Sequence, residues 1–395
     1  MTLTRQASHT LALPPFAPLN RRAAELRAAG HHVISLGQAV PYFGPPKAAL
    51  VVARGAIDTP LVHRYATDPG LPTLRRTLAE RLSGNGRTPA PRTVAPEEIV
   101  ISAGANHAFA LAHTTLVDPG DEVILPGPYF TNHQMMVVTL GATPIEAPVA
   151  DRATFTVTWD DIAPHVTART KAVVLCNPSN PTGAPITAAE GTRIVREAAA
   201  RNLVVISDET YMHFVYEGEH WSAGSMGPDL RDHVVVIGTF SKSFGMMGWR
   251  VGFMMAGAAI CEQAIKVQDA MIICAPVISQ VLAEAAAREC WDYPLSFRDE
   301  LRQRREILRE GLATIPGVSW MPTPAGMFAF ARVRDCVDST RLSLDLLEQA
   351  HVVTIPGRVF GESGEGHLRL SYGFPSQDEL REACARLRTF MEGKR

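Results

Sequence analysis

Short runs that are apolar and largely β-branched recur through the middle of this chain. They are Glu98-Ile-Val-Ile101, Glu122-Val-Ile-Leu125, Ala172-Val-Val-Leu-Cys176, Leu203-Val-Val-Ile206 and Val234-Val-Val-Ile237. A strand that is apolar at nearly every position has to be covered on both faces, as in a parallel sheet flanked by helices. The intervals hold amphipathic stretches such as Ala188 to Asn202, with Ile194, Val195 and Ala198 on one side. Alternating β and α units predict a mostly parallel α/β sheet with right-handed crossovers. The pattern changes after about residue 285. A long charged helix, Phe297 to Thr314, precedes short strands at Val318 to Met321, Met327 to Val333, Val352 to Ile355 and His367 to Ser371. This reads as a smaller α+β domain. The first 45 residues are expected to pack with it, because Val33-Ile-Ser-Leu36 has no parallel partner nearby in sequence. The expected division is an arm over 1–45, a large domain over 46–285 and a small domain over 286–395.

The 395 residues carry 38 Lys and Arg against 40 Asp and Glu, a formal net charge of −2. That balance excludes a mainly electrostatic role, such as coating nucleic acid or gripping an anionic membrane. With 46% hydrophobic and 20% charged residues, the chain can bury a sizeable core and is not generally disordered. The six cysteines form no Cys-x-x-Cys pair, so neither a zinc knuckle nor a redox motif is readable. Scattered thiols suit a reducing cytoplasm. Met1 to Phe16 is a poor signal peptide. The longest apolar run, Val251 to Cys261, falls short of the roughly 20 residues a membrane span needs. A cytoplasmic protein is expected.

Four segments carry residue types that folding alone does not require. Each follows a predicted strand, the end at which open α/β sheets bind ligands. In Thr239-Phe-Ser-Lys242-Ser-Phe-Gly-Met-Met-Gly-Trp-Arg250 a lysine stands in a Ser/Gly-rich loop. Held among apolar groups and other cations, such a lysine can have a lowered pKa and form a Schiff base; the alternative is a surface lysine. Thr239, Ser241 and Arg250 are suited to a phosphate. Asp208, in Ser207-Asp208-Glu-Thr-Tyr211, is placed to pair with a protonated pyridine nitrogen, although alone it reads as a helix N-cap. Asn177-Pro-Ser-Asn180-Pro-Thr-Gly183 is a rigid loop that can aim an amide at a ligand, or an ordinary turn. Ile101-Ser-Ala-Gly104-Ala105-Asn106-His107 reads as strand, glycine turn and helix start, where backbone N–H groups bind phosphate.

In this order and spacing, the four segments resemble the class I/II aminotransferases, the fold-type I enzymes that use pyridoxal 5′-phosphate (PLP). The resemblance runs from Gly37 to Arg369, and the nearest branch is the bacterial aspartate and kynurenine/glutamine aminotransferases. Ser241-Lys242-Ser-Phe-Gly…Gly248-Trp-Arg250-Val-Gly252 matches the family's PLP-lysine signature, and Asn180-Pro-Thr-Gly183 and Asp208-x-x-Tyr211 match two further motifs. The resemblance implies a large domain with a seven-stranded sheet and a homodimer. It implies that Lys242 forms the Schiff base and moves the proton that leads through a quinonoid intermediate. Asp208 would keep the pyridine nitrogen protonated. Tyr211 and Asn180 would hold the ring's 3′-oxygen. Thr239, Ser241 and Arg250, with the backbone around Ala105 and Asn106, would hold the phosphate. Phe130 would stack on the ring, with Tyr129 the alternative in a shifted register. Arg369 and the Gly37 backbone would bind the substrate α-carboxylate. Tyr65 would reach the phosphate of the neighbouring subunit. Asn180-Pro181 and Gly127-Pro128 are candidates for cis bonds.

Other features read as ordinary. His31-His32 is a solvated pair at a helix end, and no metal site is expected. Gly361-Glu-Ser-Gly364-Glu-Gly366 is a flexible turn rather than a dinucleotide fingerprint. The paired methionines at 135–136, 246–247 and 254–255 fill core or pocket.

The expected function is transfer of an amino group from an L-amino acid to a 2-oxo acid. The rivals are elimination, cyclisation or oxidation on the same fold, and a non-catalytic sensor joined to a DNA-binding module. No helix-turn-helix precedes the domain, so no nucleic-acid partner is expected. The stretch His107 to Leu116 holds no Lys or Arg. The segments expected to border the pocket, Val40 to Phe43, Tyr129-Phe130, Met271 to Cys274 and Met327-Phe328, are mostly apolar or aromatic. A second carboxylate desolvated there without a partner is costly. Apolar, aromatic or amide donors should therefore outrank aspartate, unless Arg358 points inward and supplies a cation.

Overall fold

The computed structural model describes Leu11 and residues 16–83 and 93–393; most of the Met1 to Phe16 stretch lies outside the described residues. Thirteen strands fall into three sheets among those residues. The largest has seven strands: β2 (Ile99–Ser102), β3 (Glu122–Gly127), β4 (Thr143–Pro148), β5 (Thr170–Cys176), β6 (Val204–Asp208), β7 (Val234–Thr239) and β8 (Gly252–Met255). Their spatial order is β2-β8-β7-β6-β5-β3-β4, and β8 alone runs antiparallel to its neighbours. All five apolar runs lie in this sheet. Successive residues feed opposite faces, as the period of a strand requires. Val173, Val205, Val234 and Val236 join one apolar core, and Val174, Val204, Val235 and Ile237 join the other.

Two strands of the sheet were not foreseen. β4 is an edge strand carrying Pro144 and Pro148, with mostly half-exposed residues, so it lacks the buried-strand signature. β8 lies at the start of the long apolar run and returns the chain between β7 and β2. The stretch from Ala188 is helical only to Ala199, and the chain then turns through Asn202 at φ 57°.

The second sheet has order β12-β13-β10-β9, formed by β9 (Val318–Ser319), β10 (Phe328–Val333), β12 (Ile355–Pro356) and β13 (His367–Ser371). The run Val352 to Ile355 is not one strand. It breaks at buried Thr354, and β11 (Val352–Val353) pairs instead with β1 (Ile34–Ser35), in parallel. A third core gathers Ile34 and Leu36 with Phe328, Leu368 and Leu370. Leu301, Leu308 and Leu312 of the helix Arg298–Ala313 and Leu380 of the helix Gln377–Gly393 complete it.

Gly127-Pro128 is cis, as expected, but the second cis bond is Asn177-Pro178 rather than Asn180-Pro181. The segment read as a flexible turn, Gly361 to Gly366, holds a short 3-10 turn, Glu362–Gly364, which is the second of two, after Gly357–Phe360. The Glu146 carboxylate accepts the N–H groups of Glu362 and Ser363 at 2.9 and 2.8 Å and holds the second turn on the edge of the large sheet.

Candidate active site

The ends of β5, β6 and β7 and the start of the helix Ala105–Leu116 enclose a cavity of about 200 Å³. Ala105, Asn106, Phe130, Asn180 and Asp208 line it, as do Tyr211, Thr239, Ser241, Lys242 and Arg250. Phe130 rather than Tyr129 faces it; the Tyr129 N–H donates to Phe360 O at 2.9 Å. A larger cavity of about 610 Å³ opens beside Glu209, His213 and Trp291 and includes none of the expected site residues.

At one side of the cavity the chain is shaped for an anion. Thr239 ends β7, and its hydroxyl oxygen accepts the Ser241 N–H at 3.1 Å. Arg250 adopts a left-handed backbone at φ 50°, and its guanidinium donates to Met247 O at 2.8 Å and Ala103 O at 3.4 Å. Gly104 has φ +87°, and a Cβ there would lie 2.5 Å from Arg250 Nη2. Glycine therefore lets the turn and the guanidinium share this space. The helix that begins at Ala105 presents unpaired backbone N–H groups at its first turn.

Lys242 sits on the short helix Phe240–Ser243. Burial, then the charges of Arg369 and Arg250, push its amine down to about 8. Asp208 is the last residue of β6 and is buried. It accepts the Thr210 N–H at 3.0 Å, the Thr210 hydroxyl at 2.6 Å and His133 Nε2–H at 3.0 Å. Burial disfavours its charge, but the bonds from His133 and Thr210 outweigh this and hold the carboxyl below its ordinary value. Burial raises the Tyr211 hydroxyl far above its usual range.

Arg369 lies on β13, and its side chain is buried. Nη1 donates to Asn180 Oδ1 at 2.9 Å and Nη2 to Gly37 O at 2.5 Å. The guanidinium carbon stands 5.0 Å from the Phe328 ring centre and 5.1 Å from that of Phe360. Burial lowers its pKa to about 10. Gly37 and Arg369 are thus brought together, although neither lines the cavity, and Asn180 joins them to it.

Tyr65 stands apart. It is 77% exposed and does not line the cavity. Arg358 is also outside the cavity, half exposed and paired with Glu362.

Among the residues at the site that were not singled out beforehand are His133 and Cys176. His133 lies one helical turn beyond Phe130 in the helix Thr131–Thr139. That spacing puts it on the same side as the expected stacking ring and was the available signal. Its ring meets Phe130 edge-on at 5.3 Å and lies 4.6 Å from Phe109. Cys176 ends β5 and lines the cavity; burial, then the charge of Asp208, keeps its thiol protonated.

A sheet-end cavity that sets a lysine of lowered pKa beside a buried ionised aspartate and an anion cup is the arrangement of a fold-type I enzyme. The family model for aminotransferase class I and II matches residues 31–387, and the chain belongs to that family. It is 32% identical to an aspartate aminotransferase of Pyrococcus abyssi, over 95% of this chain and 96% of that protein. It is 30% identical to aromatic-amino-acid aminotransferase 2 of Thermococcus litoralis, over 95% and 96%. The solved structure of an alanine aminotransferase from Pyrococcus furiosus superposes with a TM-score of 0.91 at 30% identity, covering 99% of this chain and 100% of that one. The chain is an aminotransferase with the fold-type I architecture.

Proposed function

We propose that this aminotransferase uses PLP held at Lys242 and works on amino acids with uncharged side chains. The observation that carries the cofactor reading is the chemistry of one cavity: Lys242, Asp208, and the Thr239, Ser241 and Arg250 cup around about 200 Å³. The donor set fits the cofactor. Arg250, the two hydroxyls and the backbone N–H groups of Ala105 and Asn106 suit a phosphate dianion. Asp208 suits a pyridinium nitrogen.

When bound, PLP supplies an electron sink for the charge that develops at the substrate Cα. The chain's own residues do the rest. Asp208, kept ionised by His133 and Thr210, would hold a proton on the pyridine nitrogen. Lys242 Nζ, partly neutral near pH 8, takes and returns the Cα proton. Phe130 would cover the ring, and Asn180 and Tyr211 would hold its oxygen. Arg369 orients the α-carboxylate through its planar fork, beside Gly37.

The substrate reading rests on the cavity lining, whose charged side chains among the described residues are Asp208, Lys242 and Arg250, each already assigned to the cofactor. Arg358 is engaged by Glu362 outside the cavity. The relatives are named for aspartate, aromatic amino acids and alanine, so family membership leaves the donor open. A homodimer is part of the same reading. Tyr65 is exposed, as are the apolar residues Val51, Leu61, Met271 and Ile272, and exposed apolar surface of this kind suits a second copy. We also propose an arm over 1–45, a large domain over 46–285, a small domain over 286–395, and a cytoplasmic role in amino acid metabolism. Among the described residues no helix is long and apolar enough to cross a membrane.

The test mixes the PLP-loaded protein with single amino acids and follows its spectrum. Conversion to the pyridoxamine form with release of a 2-oxo acid is expected. Phenylalanine or methionine should exceed aspartate in kcat/KM. Aspartate ahead by about tenfold, or 1.4 kcal/mol, would overturn the substrate reading.

A further inference from the structure

We infer that His107 is a positioning residue for the phosphate turn, its Nδ1 fixing Ala103 and with it the backbone that would meet the cofactor phosphate. The inference rests on the cofactor reading above. β2 ends at Ser102 and the helix begins at Ala105, so Ala103 and Gly104 form the whole connection. The Ala103 N–H donates to a side chain of the helix rather than to a backbone carbonyl. Its acceptor is His107 Nδ1, at 3.0 Å. The Ala103 carbonyl accepts from Arg250 Nη2 at 3.4 Å, and the Ser102 hydroxyl donates to Gly104 O at 3.1 Å. Ala103 is therefore held on one side by the cation of the anion cup and on the other by His107. A tilt there moves the N–H groups of Ala105 and Asn106 and the Arg250 guanidinium together.

The chemistry of the ring agrees. Nδ1 accepts only when it carries no proton, so the ring is neutral with its hydrogen on Nε2. Burial lowers the His107 pKa and favours that form. Nε2 is buried and has no hydrogen-bond partner among the described residues. A buried donor left unsatisfied is unfavourable. The bond to Ala103 is thus the polar interaction that the imidazole provides, and it acts on the turn.

The experiment titrates PLP into the cofactor-free, full-length chain and compares wild type, His107→Leu and His107→Asn. Asparagine carries an acceptor, Oδ1, at the position of Nδ1; leucine carries none. The expected result is a Kd about tenfold weaker in His107→Leu, equal to about 1.4 kcal/mol, and restored in His107→Asn. The melting temperature of the cofactor-free chain should change little across the three. If the leucine variant does not fold, His107→Ala against His107→Asn makes the same comparison. Equal affinity in wild type and the apolar variant overturns the inference, as does an asparagine variant as weak as the apolar one. A wild-type chain that takes up no PLP overturns the cofactor reading itself, and this inference with it.

Discussion

Replacing His133 with phenylalanine removes one hydrogen bond from Asp208 and keeps an aromatic ring against Phe109 and Phe130. The 3.0 Å bond from Nε2 goes to a buried carboxylate. Hydrogen bonds to charged groups contribute about 1.5–3 kcal/mol. At 1.36 kcal/mol per decade, losing one strengthens proton binding by Asp208 about ten- to hundredfold. In the wild type this carboxyl sits below its ordinary value. Its stabilising effect is present above the unfolded-state pKa of about 3.9 and disappears as the pH falls through the lower folded value. In His133→Phe only Thr210 opposes the burial, so protonation comes at higher pH. The assay is kcat/KM against pH, which reports groups of the free enzyme. Its acid limb should move up by about one to two pH units. His133→Gln, with an amide nitrogen at the ε position, should move it back. An acid limb that stays at the wild-type pH in His133→Phe would refute the assignment of His133 as the group that keeps Asp208 ionised.

Lys242→Ala should lose both turnover and the visible absorption of the PLP-loaded protein, because no other amine lines the cavity among the described residues; wild-type activity would sink the assignment. The amine of the cofactor-free chain is cationic below about 8 and nucleophilic above it. PLP uptake should therefore accelerate as the pH rises through that value, and a flat stopped-flow rate would contradict this. Arg369→Lys loses the planar fork that reaches Asn180 and Gly37, and kcat/KM should fall by about 2–4 kcal/mol, or roughly thirty- to a thousandfold. A loss under threefold would remove Arg369 from carboxylate binding. Sedimentation should give a dimer, and Tyr65→Ala should weaken PLP retention; a fully active monomer would rule out a shared site.

The central strands were legible because both faces of the sheet are covered, which leaves five runs with no polar alternation. β4 was not, because an edge strand meets fewer neighbours and tolerates Pro144 and Pro148. The break at Thr354 was hidden because both halves of that run are apolar, and only the partners β1 and β13 distinguish them. At the site, Lys242 and Arg250 stood out as charged groups in a Ser/Gly-rich loop after a buried strand, whereas Asp208, which alone reads as a helix N-cap, was legible only together with the other segments. His133 did not stand out, since a histidine inside a short helix looks like any other until the fold brings it to Asp208. The link between Gly37 and Arg369 depends on tertiary contact alone.

That link also sets an order of events at the ribosome. Gly37 and Arg369 are 332 residues apart, about 17–66 s of synthesis at roughly 5–20 residues per second. β2 to β8, and with them the cavity at Lys242, emerge well before β11 and β13 exist. The nascent chain can assemble its large sheet while Ile34–Ser35 still waits, an unpaired strand edge of the kind that invites wrong partners. A chain stopped short of residue 352 would carry the lysine and its aspartate but leave the Gly37 carbonyl without its guanidinium. β1, made before every strand of the large sheet, finds its partner only after all of them.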